Sequence, residues 1–200
     1  MLKYYKSIYK DKCYGSSIIT TSKGFEEVEA VGLIDVMRRG GIDVRIAYIE
    51  DELHHGKVVI GANGIGVKAD TSIKNVISDD FDMMVLPGGW EGTYALAEHT
   101  RIIELVQEFK EKKIIGAMCA APFVLKKAGV LGTDYTCYPG AKEKINHPGY
   151  RDDAKVVTDG NVMTSQGPGT ALCFGLAIVE RLVGKESMQA VKEGMLLDYC

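Results

Sequence analysis

Hydrophobic and polar positions follow two different periods along this chain. Short, nearly continuous apolar runs predict buried strands at residues 17–21, 44–49, 81–86 and 114–118. Apolar residues at helical spacing predict helices at residues 25–39, 100–112, 121–128, 170–183 and 187–199. Asp159-Gly160, between apolar runs at 154–158 and 162–165, predicts a hairpin. This alternation is typical of an α/β fold in which helices cover both faces of a mostly parallel sheet.

The bulk composition predicts one soluble globular domain. The 200 residues are 46% hydrophobic, which is enough for one core, and no repeat or linker marks a second domain. The net charge of −3 gives no reason to expect a nucleic acid or anionic membrane partner. No apolar run approaches the roughly 20 residues that cross a bilayer. We therefore predict a domain over residues 16–200, preceded by an extension, residues 1–15, that lacks the apolar stretch of a secretory signal.

The five cysteines, Cys13, Cys119, Cys137, Cys173 and Cys200, are odd in number and show no CxxC or metal-ligand spacing. This pattern favours free thiols in a reducing, cytoplasmic compartment over a disulfide framework. Cys173 lies inside an apolar helical pattern, and we interpret it as a small buried hydrophobe. We expect neither a metal nor another cofactor, because no group of metal-binding side chains has a suitable spacing.

Cys119 stands where a predicted strand ends and a helix begins at once. Small residues, Ala117 and Ala121, lie two positions on either side, as in the sharp turn of a nucleophile elbow. A cysteine at a helix N-terminus is expected to be reactive because the helix favours the thiolate. The N–H groups of Ala120 and of Gly89, which follows the neighbouring apolar strand, would form an oxyanion hole. The alternative is a core thiol beside an ordinary Pro-Gly-Gly turn.

Glu29 is the acid that we expect to turn inward beside Cys119. It follows two other carboxylates, Glu26 and Glu27, whose position is explained by the favourable interaction of negative charge with a helix N-terminus. A buried carboxyl next to a thiolate must be protonated, because two anions in contact repel each other. We therefore predict a raised pKa for Glu29 and a role in moving protons.

Five motifs together resemble the ThiJ/PfpI superfamily, most closely its DJ-one/ThiJ branch. They are residues 23–29 (Lys-Gly-Phe-Glu-Glu-Val-Glu), 35–41 (Asp-Val-Met-Arg-Arg-Gly-Gly), 85–89 (Val-Leu-Pro-Gly-Gly), 117–122 (Ala-Met-Cys-Ala-Ala-Pro) and 164–170 (Thr-Ser-Gln-Gly-Pro-Gly-Thr). The resemblance covers about residues 16–197 and implies a flavodoxin-like three-layer sandwich and a homodimer. It implies catalytic roles for Cys119 and Glu29 and oxyanion donors at Gly89 and Ala120. It places Gly88, Tyr138, Gly167 and Pro168 around the site.

Two positions depart from the family pattern. Many members carry a histidine before a proline about twenty residues after the nucleophile, and Tyr138 occupies that place here. Tyrosine, with a pKa of about 10, is a poor general base at neutral pH, which argues against a Cys-His peptidase mechanism. His147 is a possible substitute, and Cys137 a possible resolving thiol. A basic residue of some relatives is replaced by Asn63, so an anionic ligand is not expected there.

Three functions remain open. The first is a cofactor-independent enzyme of carbonyl or oxidative stress, which converts 2-oxoaldehydes to 2-hydroxy acids without glutathione or, by the resemblance, removes glycated adducts. The second is a non-catalytic redox sensor or chaperone in which Cys119 is oxidised to a sulfinate. The third is a peptidase-like hydrolase, which the missing histidine disfavours.

Overall fold

The computed structural model describes residues 15–50 and 57–200, so the predicted extension, apart from residue 15, lies outside the described residues, as does Cys13. The strands are β1 (Gly15–Thr21), β2 (Ile42–Tyr48), β3 (Val58–Ile60), β4 (Gly66–Lys68), β5 (Thr71–Ser72), β6 (Met83–Leu86), β7 (Ile114–Met118), β8 (Val156–Asp159) and β9 (Val162–Ser165). The helices are α1 (Glu27–Arg39), α2 (Trp90–Glu98), α3 (Thr100–Lys112), α4 (Pro122–Lys127), α5 (Lys142–Ile145), α6 (Ala171–Leu182) and α7 (Lys185–Gly194).

Seven strands form the central sheet in the order β5-β2-β1-β6-β7-β9-β8. All neighbours are parallel except β8 and β9, which form the hairpin predicted at Asp159-Gly160. β3 and β4 form a separate antiparallel hairpin beside the sheet. The mostly parallel sheet confirms the predicted fold class.

Alternating side chains of the central strands divide the core between the two faces of the sheet. Ile19 and Val85 pack with α1, α6 and α7 on one face. Ile18 and Met84 pack with α2, α3 and α4 on the other. Because both faces are covered, the central strands need no polar side, which explains their continuous apolar sequence. The described residues thus form three layers, as predicted.

The predicted bounds of the long elements hold to within two residues, except in the last helix. That helix, predicted at residues 187–199, is α7 at Lys185–Gly194, because it ends at a glycine and Leu196 adopts a left-handed φ of 57°. The helix at residues 100–112 and the strand at 114–118 are found as predicted. Five short elements, β3, β4, β5, α2 and α5, were not predicted from the sequence. These strands are two or three residues long, and α2 follows the Pro-Gly-Gly turn so closely that its start has no separate signal.

The prediction of free thiols is wrong for one pair. Cys173, in the first turn of α6, forms a disulfide with Cys200. α7 packs against α6 and returns the chain, so two cysteines 27 residues apart meet. Cys173 is buried, as expected, but as half of a disulfide rather than as an isolated hydrophobe. Cys119 and Cys137 are the free cysteines of the described residues.

Candidate active site

The candidate site lies beyond the carboxyl ends of neighbouring parallel strands, the usual ligand position in such sheets. Cys119 follows β7 directly, and Gly88 and Gly89 follow β6 after one proline. Glu29 lies in the first turn of α1, which follows β1. Because β1, β6 and β7 are adjacent in the sheet, these side chains and backbone groups meet at one edge.

Cys119 occupies a strained turn, as the elbow pattern predicted. Its φ of 58° lies in the left-handed region, which costs a residue other than glycine about 1–2 kcal/mol. Neighbouring segments hold both of its backbone polar groups. Its N–H donates to the carbonyl of Ser165 at 3.0 Å, and its carbonyl accepts from the N–H of Tyr138 at 2.9 Å. These bonds maintain a conformation that the residue alone would not favour.

Two backbone N–H groups face the sulfur of Cys119. They belong to Gly89 and Ala120, the predicted oxyanion donors. Gly89 has a φ of 91°, and a Cβ there would lie 2.2 Å from the carbonyl oxygen of Gly24. Only glycine can therefore bring this N–H to the site.

The backbone of Gly88 lies against both the thiol of Cys119 and the carboxyl group of Glu29. Its N–H donates to Oε2 of Glu29 at 2.7 Å. A Cβ on Gly88 would lie 2.5 Å from Cβ of Cys119 and 2.9 Å from its Sγ. The sequence analysis placed Gly88 at the site, and the structure explains why any side chain there would displace the cysteine.

Glu29 is fully buried, as expected for an acid that turns inward. Glu26 is the N-cap of α1 and accepts the N–H of Glu29 at 2.7 Å, which fixes the turn that points Glu29 inward. Burial raises the pKa of Glu29 to about 7, although the hydrogen bonds to Gly88 and Cys119 act to lower it. The raised pKa agrees with the prediction. The carboxyl group is therefore present in both protonation states near neutral pH.

The expected low pKa of Cys119 is not found. Burial raises the pKa of this thiol, and the charge of the nearby Glu29 raises it further. The N–H groups of Gly89 and Ala120 act in the opposite direction and are outweighed. Cys119 is only 9% exposed. The loss of hydration therefore raises the pKa of the thiol by more than the N-terminus of the short helix α4 lowers it. The thiol and the acid form one coupled pair.

Glu27 differs from the prediction that its position reflects only the helix N-terminus. It is 4% exposed and accepts N–H groups from the turn between β3 and β4. Oε1 accepts from the N–H of Asn63 at 2.6 Å, and Oε2 accepts from its side-chain amide at 2.9 Å. Burial acts to raise the pKa of Glu27, but hydrogen bonds from Asn63 and Ile65 outweigh it and leave the pKa below its usual range. Glu27 therefore connects the β3–β4 hairpin to the start of α1 through hydrogen bonds.

Tyr138 and Gly167, both expected to line the site, contact each other. The ring of Tyr138 is at van der Waals distance from Gly167, 3.4 Å from where its Cβ would be. The side chain is 46% exposed, and its backbone N–H holds Cys119 as described above. Pro168 begins a one-turn helix next to Gly167. Contact between Pro168 and a ligand stays a prediction.

His147 and Cys137 do not fill the roles considered for them. The two ring nitrogens of His147 face the carbonyl of Gly132 at 3.1 Å and Nζ of Lys126 at 3.4 Å. Cys137 is completely buried, and burial raises its pKa to about 12, which disfavours a resolving thiol.

The sequence analysis missed an aromatic group beside the oxyanion donors. Trp90, which follows Gly89 directly, stacks on Tyr94 with ring centroids 5.5 Å apart. Nζ of Lys144 lies 4.2 Å from the centroid of the Trp90 ring and donates to the hydroxyl of Tyr94 at 2.8 Å. The position of the chain's one tryptophan, immediately after Gly-Gly, was the available signal.

Comparisons with known proteins place the chain in a family. The sequence profile of the DJ-1/PfpI family matches residues 16–181. The chain belongs to the DJ-1/PfpI family. This family member is 42% identical over 187 residues to Protein dj-1beta of Drosophila melanogaster, covering 92% of this chain and 98% of that protein. The crystal structure of Drosophila melanogaster DJ-1beta matches with a TM-score of 0.85 at 41% identity, covering 91% of this chain and 97% of that one.

A second relative of this DJ-1/PfpI protein is named for an activity. It is the glutathione-independent glyoxalase DJR-1.2 of Caenorhabditis elegans, which is 37% identical over 183 residues and is covered over 95% of its length. The described residues of the present chain contain no group of three or more side chains able to hold a metal ion. None of its helices within those residues has the length and apolar character to cross a membrane.

Proposed function

We propose that this protein is a cofactor-independent enzyme acting on small reactive carbonyls, converting 2-oxoaldehydes to 2-hydroxy acids. Removal of glycated adducts by the same initial attack is a related activity. One observation carries the proposal. A nucleophilic sulfur, two backbone donors and a buried carboxyl with a pKa of about 7 meet at a single point. The glyoxalase name of the Caenorhabditis elegans relative supports the same substrate class.

The first step is addition of the Cys119 sulfur to the aldehyde carbon of the substrate. The new bond forms as the carbonyl π electrons move to oxygen, where the N–H groups of Gly89 and Ala120 stabilise the developing charge. Glu29 in its ionised form accepts the thiol proton as sulfur attacks and passes it to that oxygen, which gives a hemithioacetal. The high pKa of the free thiol is therefore compatible with the reaction.

The second step is a proton transfer between two carbons. The Glu29 carboxylate removes the proton from the former aldehyde carbon and returns it to the neighbouring carbon through an enediol. The hydroxyl proton on the first carbon is transferred to the oxygen of the second, which leaves a carbonyl on the first carbon and a hydroxyl on the second. The first carbon is oxidised to a thioester and the second is reduced to an alcohol, so no external redox partner is required. Water then hydrolyses the thioester, which releases the 2-hydroxy acid and regenerates Cys119.

A carboxyl with a pKa near neutral suits this double role. It is present in both protonation states at pH 7, which is optimal for a group that must accept and donate a proton in turn. Oε2 of Glu29 accepts from Gly88. Oε1 is buried without a hydrogen-bond partner in the part of the chain that the structure describes. Oε1 is therefore the oxygen we assign to the moving proton.

The test is formation of D- or L-lactate from methylglyoxal by the purified chain, without glutathione or added metal. We expect turnover that Cys119→Ser abolishes and that Glu29→Gln reduces by at least about 100-fold, in line with the contribution of a positioned acid–base group. Cys137→Ser is the matched control, because Cys137 is a free cysteine that takes no part in the proposed chemistry.

Absence of turnover above the Cys119→Ser background would refute the carbonyl enzyme. The redox sensor would then be the better hypothesis, and peroxide treatment would oxidise Cys119 in both the native chain and Glu29→Gln. A solved structure of Toxoplasma gondii DJ-1 described as oxidized, 28% identical to this chain, makes this alternative worth measuring.

We also propose that the protein is a homodimer that joins through α1 and the β3–β4 hairpin. Val28, Val31 and Ile65 are 57%, 45% and 57% exposed, an unusual amount of apolar surface on adjacent elements. Sedimentation should give a dimer, and Val31→Glu should shift it towards monomer. The control Ile77→Glu, at a position that is 60% exposed and lies outside this surface, should stay dimeric.

The domain bounds 16–200 and the cytoplasmic location remain proposals. The family match over residues 16–181 supports the start of the domain. Free Cys119 and Cys137 support a reducing compartment, whereas the disulfide does not. Limited proteolysis for the domain and localisation of the tagged full chain for the compartment are the direct tests.

A further inference from the structure

The disulfide between Cys173 and Cys200 has no part in the proposed carbonyl chemistry. Cys173 is the third residue of α6 and is 7% exposed. Cys200 lies on the surface, six residues beyond the end of α7. The bond therefore joins a buried residue to an exposed one.

The segment that the disulfide holds contacts Lys155, the residue immediately before β8. Nζ of Lys155 donates to the carbonyl oxygen of Tyr199 and lies 5.5 Å from the centroid of its ring. The carbonyl of the same Lys155 accepts from the hydroxyl of Ser165 at 2.7 Å. Residues 199–200 are thus connected through one lysine to the end of β9.

Ser165 in turn supports the catalytic cysteine and the loop beside it. Its carbonyl accepts the N–H of Cys119 at 3.0 Å. Its hydroxyl lies 2.8 Å from Oγ1 of Thr170, which also accepts the N–H of Gly167 at 3.1 Å. Thr170 immediately precedes α6, three residues before Cys173. Two sets of contacts therefore link the disulfide to residues 165–170. One set runs through Lys155, and the other runs through the first turn of α6.

We propose that Cys173–Cys200 is a redox centre of this protein, a thiol–disulfide exchange site for a dithiol reductant, whose state sets how firmly residues 165–170 hold the surroundings of Cys119. The regulatory part rests on the proposed role of Cys119 as the reactive residue. The exchange site itself does not.

The direction of exchange follows from exposure and position. A thiolate of the reductant attacks the accessible sulfur of Cys200, and the electron pair of the broken bond leaves with Cys173. The Cys173 thiolate forms in the first turn of the twelve-residue helix α6, where the helix N-terminus stabilises negative charge. The second thiol of the reductant then releases Cys200. The protein disulfide gains two electrons and two protons, and the dithiol is oxidised to its own disulfide.

We expect reduction of the disulfide to change only a small part of the fold. Leu197 stays anchored in the core at 3% exposure, three residues before Cys200. The freed part is therefore residues 198–200, together with the contact between Tyr199 and Lys155. We expect the domain to remain folded while residues 165–170 become more mobile and Cys119 becomes more accessible.

The experiment compares the oxidised full chain with the same chain reduced by dithiothreitol and desalted under argon. Peptide mapping should find a Cys173–Cys200 linked peptide in the first sample and both free thiols in the second. Amide exchange at Gly167 and Thr170, and the iodoacetamide reaction rate of Cys119, should each rise by at least about threefold on reduction, as expected when a local restraint is removed. Mass spectrometry reads each cysteine separately, and neither readout requires turnover.

Cys200→Ser should behave like the reduced chain and be indifferent to dithiothreitol, since it alters only the exposed sulfur. Cys137→Ser should keep the disulfide and respond like the native chain. Absence of the linked peptide after oxidation overturns the proposal. Equal exchange and alkylation in oxidised, reduced and Cys200→Ser samples overturns its regulatory part, whatever the lactate assay gives.

Discussion

Replacing Glu29 with glutamine should change how the stability of the protein depends on pH. Glutamine has nearly the same shape, and its side-chain oxygen can still accept the N–H of Gly88, which now donates to Glu29 Oε2 at 2.7 Å. The variant has no proton to gain or lose at this position. Any difference in the pH dependence of unfolding between the two chains therefore reports the titration of Glu29.

The sign and size follow from the pKa of Glu29. Burial raises it from 4.5 to about 7 in the folded chain, so between these values the folded state binds a proton that the unfolded state does not. The contribution of Glu29 to the free energy of unfolding is fully present below pH 4.5 and is lost as pH rises through about 7. At 1.36 kcal/mol for each pKa unit, the native chain should lose about 3 kcal/mol relative to Glu29→Gln across this interval.

Urea unfolding between pH 5 and pH 8.5 measures this difference. The fluorescence of Trp90, the chain's one tryptophan, reports the surroundings of Gly89, and far-ultraviolet circular dichroism reports the whole fold. His99, whose pKa burial lowers, also titrates differently in the folded state. Its contribution cancels because it is the same in both chains.

The matched control is Glu27→Gln, two residues earlier on the same helix. Glu27 is also buried, but its pKa is lowered, so its stabilising effect is lost only in acid and its removal should leave the slope above pH 5 unchanged. Parallel pH curves for the native chain and Glu29→Gln would refute the reasoning. They would mean that Glu29 is ionised in the folded protein throughout this range.

Three further outcomes can be measured on single variants. Gly88→Ala should lower turnover by about 100-fold, because the new Cβ displaces Cys119. Gly15→Ala, where a Cβ meets only ordinary contacts, should leave turnover intact. Tyr138→His should add a step near pH 6.5 to the alkylation profile of Cys119, by supplying a base with that pKa, and an unchanged profile would place residue 138 out of reach. Cys200→Ser should lower the free energy of unfolding by roughly 3 kcal/mol in non-reducing urea, from the 27-residue loop that the disulfide closes.

Local sequence patterns predicted the elements whose burial is complete. The strands β6 and β7 are covered on both faces, so their apolar runs mark them clearly. The elbow at Cys119 and the inward turn of Glu29 were also predictable, because small neighbours and the N-cap glutamate Glu26 act within a few residues of sequence. The strand β5 pairs over only two residues and has no periodic signal.

Other features depend on contacts between distant segments. The role of Glu27 requires the β3–β4 turn, 36 residues away, and helix-terminal charge explains the residue equally well from sequence alone. The disulfide requires α7 to return Cys200 to the first turn of α6. The raised pKa of Cys119 requires knowledge of its burial, which outweighs the helix terminus that the sequence does reveal.

The electrostatics of the coupled pair, Cys119 and Glu29, favour a carbonyl enzyme over a redox sensor. Peroxide reacts with thiolates, so a sensor needs a cysteine that is ionised before its oxidant arrives. Burial and the charge of Glu29 oppose that state in Cys119. Addition to a carbonyl needs the thiolate only at the moment of attack, when Glu29 accepts the proton and the N–H groups of Gly89 and Ala120 stabilise the charge on oxygen. At pH 7, Cys119 should therefore react with hydrogen peroxide more slowly than free cysteine does, and a faster reaction would reverse this preference.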